Sequence, residues 1–162
     1  MDTVQITCTL KDVPTCLGVY PSDLLPTTIH KTGTVIITAD PYTREVSHWL
    51  AMHLEPLLSY ASYFDSYGRP SCDPNILSFI KRNAAFWGYN SISLQGPTSV
   101  VCGHYCCLFT RYMNKGITPL QFVRLVTADV ADRQAVQLFT AHFEPVCGTP
   151  RGGQCCKPSH KL

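Results

Sequence analysis

The sequence predicts an α+β domain with a central mixed sheet and flanking helices, and three observations carry that expectation. Short apolar segments with strand character succeed one another in hairpin fashion over residues 34–66. Segments with helix caps and helical periodicity follow from residue 73 onward, with no regular strand–helix–strand alternation. The 162 residues, 45% hydrophobic and only 15% charged, suit one hydrophobic core and exclude an intrinsically disordered chain. One domain is therefore expected over 1–146, followed by a flexible Cys/Gly-rich tail over 147–162.

Residues 1–30 read as a leader rich in turn formers (Pro14, Gly18, Pro21, Pro26). Thr34–Ala39 is a buried strand, and Asp40-Pro-Tyr-Thr-Arg-Glu the polar loop after it. His48–Leu54 and Ser59–Ser66 are two further strands, joined closely enough through Glu55-Pro-Leu-Leu to form a hairpin. The spacing predicts a helix from Asp73 to Trp87, with Asp73 as N-cap, Pro74 in the first helical position and Gly88 as its stop. Asn90–Gln95 is a short strand ended by Gly96-Pro97. A second helix starts near Cys102 and exits at Asn114-Lys-Gly. Thr118-Pro-Leu-Gln121 has the capping-box form, and a last helix over about 130–143 follows Asp129.

Net charge is +2, and Lys11, Lys31, Arg44, Lys81, Arg82, Arg111 and Lys115 are scattered, a pattern that neither demands nor forbids a nucleic-acid partner. The apolar runs fall far short of the roughly 20 residues that cross a bilayer, so no membrane span is expected. Met1-Asp-Thr-Val-Gln-Ile has no basic region leading into an apolar one, so the expected setting is intracellular and reducing, not secreted. Nine Cys is an odd number, so they cannot all pair within one chain.

The chemistry begins at the hairpin. With a turn centred near Pro56-Leu57, the residue opposite His48 is Asp65, which places a carboxylate beside an imidazole. A slip of one residue would send Asp65 to the other face. Such a carboxylate orients the ring of a general base and stabilises its imidazolium. Cys102, in the first turn of its helix, gains from the helix dipole and from unpaired backbone N–H groups, which favour thiolate. Gly103 keeps the approach to the sulfur open, and Gln95 has an amide to offer a developing oxyanion. A buried Cys is more often packing than nucleophile, but His48, Asp65 and Gln95 together tip the reading toward Cys102 as the nucleophile of a thiol peptidase.

The same residues carry a resemblance. His48-Trp49, Phe64-Asp-Ser-Tyr-Gly68 and Gln95-Gly-Pro-Thr-Ser-Val-Val-Cys102-Gly-His-Tyr-Cys-Cys107, in that order, resemble the adenain family of adenovirus-type cysteine endopeptidases, from about Cys16 to about Met113. Related ubiquitin-like-protein proteases share the residue order but set Gln and Cys one residue closer, with Asp before the Cys. Val101 occupies that position here, which favours the adenain branch. The resemblance implies a papain-like arrangement with His48, Asp65, Gln95 and Cys102 as catalytic residues. Trp49 matches the family's Trp after the His, and Trp49, Gly103 and His104 are the expected substrate contacts. It also implies cleavage of viral or virus-like transposon precursor proteins after Gly-containing motifs during particle maturation, in the virion and host nucleus, by a monomer. A deubiquitinase or isopeptidase for a related modifier is the alternative, and a catalytically silent binding module a third reading. Asp65 stands where classical adenoviral enzymes have Glu. An activating peptide and DNA are the candidate cofactors, neither required by the sequence. Residues 81–94 contain no Cys, so a disulfide-linked peptide does not carry over.

Blander roles are expected elsewhere. His53 belongs on the sheet face opposite His48, and Cys106 in the core. His104, two residues into the helix, lines the cleft or is a solvated or packed histidine. No metal site is expected, because the Cys spacing near 102–107 and in the tail (Cys147, Cys155, Cys156, His160) is not that of a zinc site. Gly152-Gly153 is similar to the small residues such proteases cleave after, although Pro150 and Arg151 precede it.

Overall fold

Two strands without polar interruption, Val35–Ile37 and Leu50–Met52, are apolar on both faces, so they demand cover on both sides of any sheet they build. The computed structural model, which describes residues 1–43, 48–126 and 131–143, provides it. Five strands lie in sequence order: β1 (Cys16–Pro21), β2 (Gly33–Thr38), β3 (Trp49–Glu55), β4 (Tyr60–Phe64) and β5 (Phe86–Tyr89). The central pairs β2–β3 and β3–β4 are antiparallel, whereas the outer pairs β1–β2 and β4–β5 are parallel, giving the mixed sheet that the sequence predicts.

One face of the sheet packs against α2 (Pro74–Asn83), through Ile76, Phe79 and Ile80 on Val35, Ile37, Leu50, Met52 and Leu54. The other face carries the larger core. There α1 (Thr3–Leu10), α3 (Cys102–Asn114), α4 (Pro119–Val126) and α5 (Ala131–Phe143) cover Ile36, Trp49, Ala51 and Phe64. Phe109 of α3 stacks on Phe64 at 4.7 Å between centroids, and Phe122 of α4 meets both edge-on at 5.5 Å. Each such buried ring contributes about 1.5–3 kcal/mol by burial alone, so these contacts fix α3 firmly over β3 and β4.

Local signals for several elements hold. Asp73 caps α2 through the N–H groups of Asn75 and Ile76, and Thr118 and Gln121 exchange the two capping-box bonds ahead of α4. Three expectations are corrected. The leader, expected as turn formers with no named element, holds a helix and a strand: Asp2 and Gln5 form a capping box for α1, and β1 pairs with β2 over sequence that shows no strand alternation. The helix from Asp73 ends at Asn83 rather than Trp87, because Ala85 and Phe86 both donate to the Ser59 carbonyl and lead Phe86–Tyr89 into pairing with β4. Aromatic residues favour a pleated, half-buried edge, and the neighbour available in the tertiary structure outweighs helical spacing. Residues 90–95 then form no strand: Leu94 and Gln95 both donate to the Ser66 carbonyl. Residues 44–47, which include the end of the expected 40–45 loop, and the tail, including Cys147, Gly152-Gly153, Cys155, Cys156 and His160, lie outside the described residues.

Candidate active site

His48 sits one residue ahead of β3 and Asp65 one residue after β4, so both leave the pleat at the same end of the sheet. The register differs from the expected one. Glu55 faces Tyr60 and Ala51 faces Phe64, two residues out of step with the predicted pairing of 48 with 65. The turn is longer than assumed, a short 3-10 segment over Pro56–Leu58 closed by Ser59 in the left-handed region at φ 49°. A slip of two preserves the face, and the pair meets diagonally: His48 Nε2 donates to Asp65 Oδ1 at 2.7 Å. Asp65 Oδ1 also accepts from the Tyr67 N–H at 2.9 Å.

Asp65 is itself held by a residue the sequence did not single out. Asn90 accepts from the Asp65 N–H at 2.9 Å and donates to its carbonyl at 2.6 Å. The turn that follows closes through Gly68, whose N–H donates to the Asp65 carbonyl and whose φ is +68°. A Cβ at Gly68 would lie 2.6 Å from the Ile92 carbonyl carbon, so only glycine allows the chain at 92–93 to come this close.

Cys102 is the first residue of α3, whose N-cap, Val101, supplies no side-chain acceptor. The N–H groups of the first turn are therefore left for the sulfur and for bound anions. Burial pushes the Cys102 thiol up, but a hydrogen bond from His48, the Trp49 backbone N–H, the His48 charge and the Gly103 N–H outweigh it and bring it below its ordinary value. Burial opposes charge on His48 as well. Hydrogen bonds to Asp65 and Cys102, with the negative charge of both, overcome that and raise it to about 9. With Nε2 given to Asp65, the ring nitrogen left for the sulfur is Nδ1. Each group thus favours the charged form of the other, the thiolate of Cys102 and the imidazolium of His48.

A pH test follows with a definite sign. With the Cys102 thiol held below its ordinary value, its labelling by iodoacetamide is expected to persist at pH values where a free cysteine, at about 8.5, already slows. In histidine NMR spectra the His48 ring is expected to titrate at about 9. A Cys102 labelling profile rising through the range of a free thiol would contradict the ion pair.

Gln95 is buried, and its amide is oriented without ambiguity. Its Nε2 lies 2.7 Å from the Ser99 carbonyl, which can only accept, and Ser66 Oγ donates to its Oε1 at 2.6 Å. The second Nε2 proton points at the Tyr67 hydroxyl over a longer 3.3 Å. The Tyr67 ring lies against the His48 ring, 4.9 Å between centroids. His48, Tyr67, Gln95 and Ser99 line a cleft of about 200 Å³ with Met1, Trp49, Val100 and Cys102.

Trp49, expected to touch substrate, lines this cleft, and its indole N–H donates to the Met1 carbonyl at 2.9 Å. Gly103 does not line it. Its lack of a side chain leaves room for Met1 and Trp49, which a Cβ would meet at 3.2–3.4 Å. His104 turns away to pack edge-on against Phe139 at 4.5 Å, so the packing reading of His104 replaces the cleft-lining one. His53 is buried with its Nδ1 against the Thr34 hydroxyl, and burial lowers its pKa. Cys106 is fully buried in the core. A larger apolar hollow of about 440 Å³ between β4, β5 and α4 contains none of the titrating groups of the site. Among the described residues no group of three or more His, Cys, Asp or Glu is placed to hold a metal, and no helix is long and apolar enough to cross a membrane.

No protein-family model matches the sequence, and no curated protein does. Solved structures do match. The crystal structure of the ASFV pS273R protease superposes with a TM-score of 0.52 at 16% identity over 69% of this chain and 43% of that one. Its selenomethionine form gives 0.50 at 17% identity over 68% and 44%. The SUMO protease Ulp1, with its catalytic cysteine oxidised to a sulfinic acid, matches at 0.42 and 17% identity over 67% and 51%. The chain thus has the fold of the ASFV pS273R protease, here a mixed sheet with flanking helices, and spans less than half the length of that protein.

Proposed function

We propose that this chain is a cysteine endopeptidase of the adenain type. The observation that carries the reading is the hydrogen-bonded line Asp65–His48–Cys102, with the thiol lowered and the imidazole raised as nucleophilic catalysis requires. In this reading the Cys102 thiolate attacks the scissile carbonyl and the His48 imidazolium protonates the departing amine. Neutral His48 then takes a proton from water, which releases the acyl group from the sulfur. Asp65 holds the ring through Nε2 and steadies its charge. Oxyanion stabilisation falls to the Gln95 Nε2 proton that makes only the long contact to Tyr67, together with the Cys102 N–H at the uncapped start of α3.

The Gln-to-Cys spacing and Val101 support precursor proteins of a virus or virus-like transposon as substrates, cut after Gly-containing motifs in the virion or host nucleus. An activating peptide or DNA remains part of the proposal, with no disulfide to the chain between residues 81 and 94. The test compares a fluorogenic Leu-x-Gly-Gly peptide with a ubiquitin-like C-terminal amide, with and without DNA and with and without prior iodoacetamide treatment. The expected result is cleavage of the peptide, lost on alkylation, with kcat/KM declining above about pH 9 as the imidazolium deprotonates. Cleavage of the modifier amide alone would reassign the chain to isopeptidases. Turnover of neither, with Cys102 labelled no faster than Cys72, would discard the peptidase reading.

A further inference from the structure

Gln95 lies between two anchors that meet at one carboxylate on a distant helix. Asp132, in the first turn of α5, accepts from the Gly96 N–H through Oδ2 at 3.1 Å. Its Oδ1 lies 3.1 Å from the hydroxyl of Tyr105, and that hydroxyl is also 3.0 Å from the Leu94 carbonyl. Tyr105 belongs to α3, one turn after Cys102, and is fully buried. The residues before and after Gln95 are thereby tied to the nucleophile's own helix through a single side chain. Gly96 fits this contact closely, since a Cβ there would stand 3.1 Å from Asp132 Oδ2.

We propose that Asp132 is a positioning residue that sets the Gln95 amide relative to Cys102, an assignment that rests on the peptidase reading above. Gln95 reaches the cleft on a side chain with several rotatable bonds, so the placement of its backbone decides where Nε2 lies. A displacement of about 1 Å in a group of this kind can lower turnover by about 100-fold. Ser66 and Ser99 orient the amide from its two ends, and the backbone between 94 and 96 is held in turn by Ser66 on one side and by Asp132 and Tyr105 on the other.

The test uses the full chain with Asp132→Ala, Asp132→Asn, Gln95→Ala and the double Gln95→Ala/Asp132→Ala variant. Asp132→Ala is expected to lower kcat about 10–100-fold with KM within about twofold. Asp132→Asn, which keeps an acceptor for Gly96, loses less than about fivefold. Iodoacetamide labelling of Cys102 stays within about twofold in all four, because alkylation builds no oxyanion. The double variant falls no further than Gln95→Ala, the mark of two residues acting through one group. Full kcat in Asp132→Ala, additive losses in the double variant, or labelling slowed in step with kcat would each overturn the assignment. Amide NMR keeps the two readings apart. If the wild type cleaves neither substrate and labels Cys102 no faster than Cys72, the peptidase reading fails by itself, and the Gln95 side-chain and Gly96 backbone signals still decide the second: shifted and broadened in Asp132→Ala they support it, unmoved they sink it.

Discussion

If the proposed peptidase reading holds, Cys102→Ala is expected to remove peptide cleavage altogether, and His48→Ala to lower kcat/KM by about 10⁴-fold or more. The second change is the more informative. Burial by itself pushes the Cys102 thiol up, and the hydrogen bond from His48 stands first among the effects that bring it down, followed by the Trp49 N–H and then the His48 charge. Without the ring, the Trp49 and Gly103 N–H groups remain, but the counter-charge and the proton donor for the leaving amine are gone together. Labelling of Cys102 at neutral pH should therefore slow in parallel with turnover, with its pH profile displaced upward. Asp65→Asn is expected to act between these limits, since it keeps the Tyr67 contact but loses the charge that supports the imidazolium. A His48→Ala protein that retained fast labelling would mean that the helix and backbone donors alone hold the thiolate.

Phe109→Ala lowers the unfolding free energy by about 3–5 kcal/mol, a large part of the about 5–15 kcal/mol that stabilises a typical domain. Phe109 is 1% exposed, stacks on Phe64 of β4 and meets Phe122 of α4, so its truncation opens a cavity where α3, α4 and the sheet join. It also borders the hollow between β4, β5 and α4, which leaves few neighbours on that side to collapse into the space. Phe109→Leu, which refills most of the volume, should lose much less. Denaturant titrations with the slope held constant measure both. A loss below about 1 kcal/mol in Phe109→Ala would contradict the packing of α3 on β4. Cys102 heads the same helix, so partial loss of activity below the melting transition is expected as well.

Several parts of this protein are legible from residues alone because the interactions that make them are local. Asp73 with Pro74, and Thr118 with Gln121, start helices through bonds spanning two or three positions. The placement of Cys102 at a helix start follows from the apolar spacing behind it, and the hairpin that brings His48 near Asp65 needs only one turn. Even there, the register was set by Ser59 in a left-handed conformation, which residue type does not announce.

What depended on distant partners was not legible. Phe86–Tyr89 became a strand because β4 offered an edge, and residues 16–21 because β2 did. Asn90 clamps Asp65 from 25 positions away, and Asp132 reaches Gly96 across 36. His104 points at Phe139 instead of the cleft because α5 lies there. The sequence by itself determined which groups are available for chemistry, and in what order along the chain. Only the tertiary structure decided which of them meet, because burial and hydrogen bonding between remote segments outweigh local preference once the chain is packed.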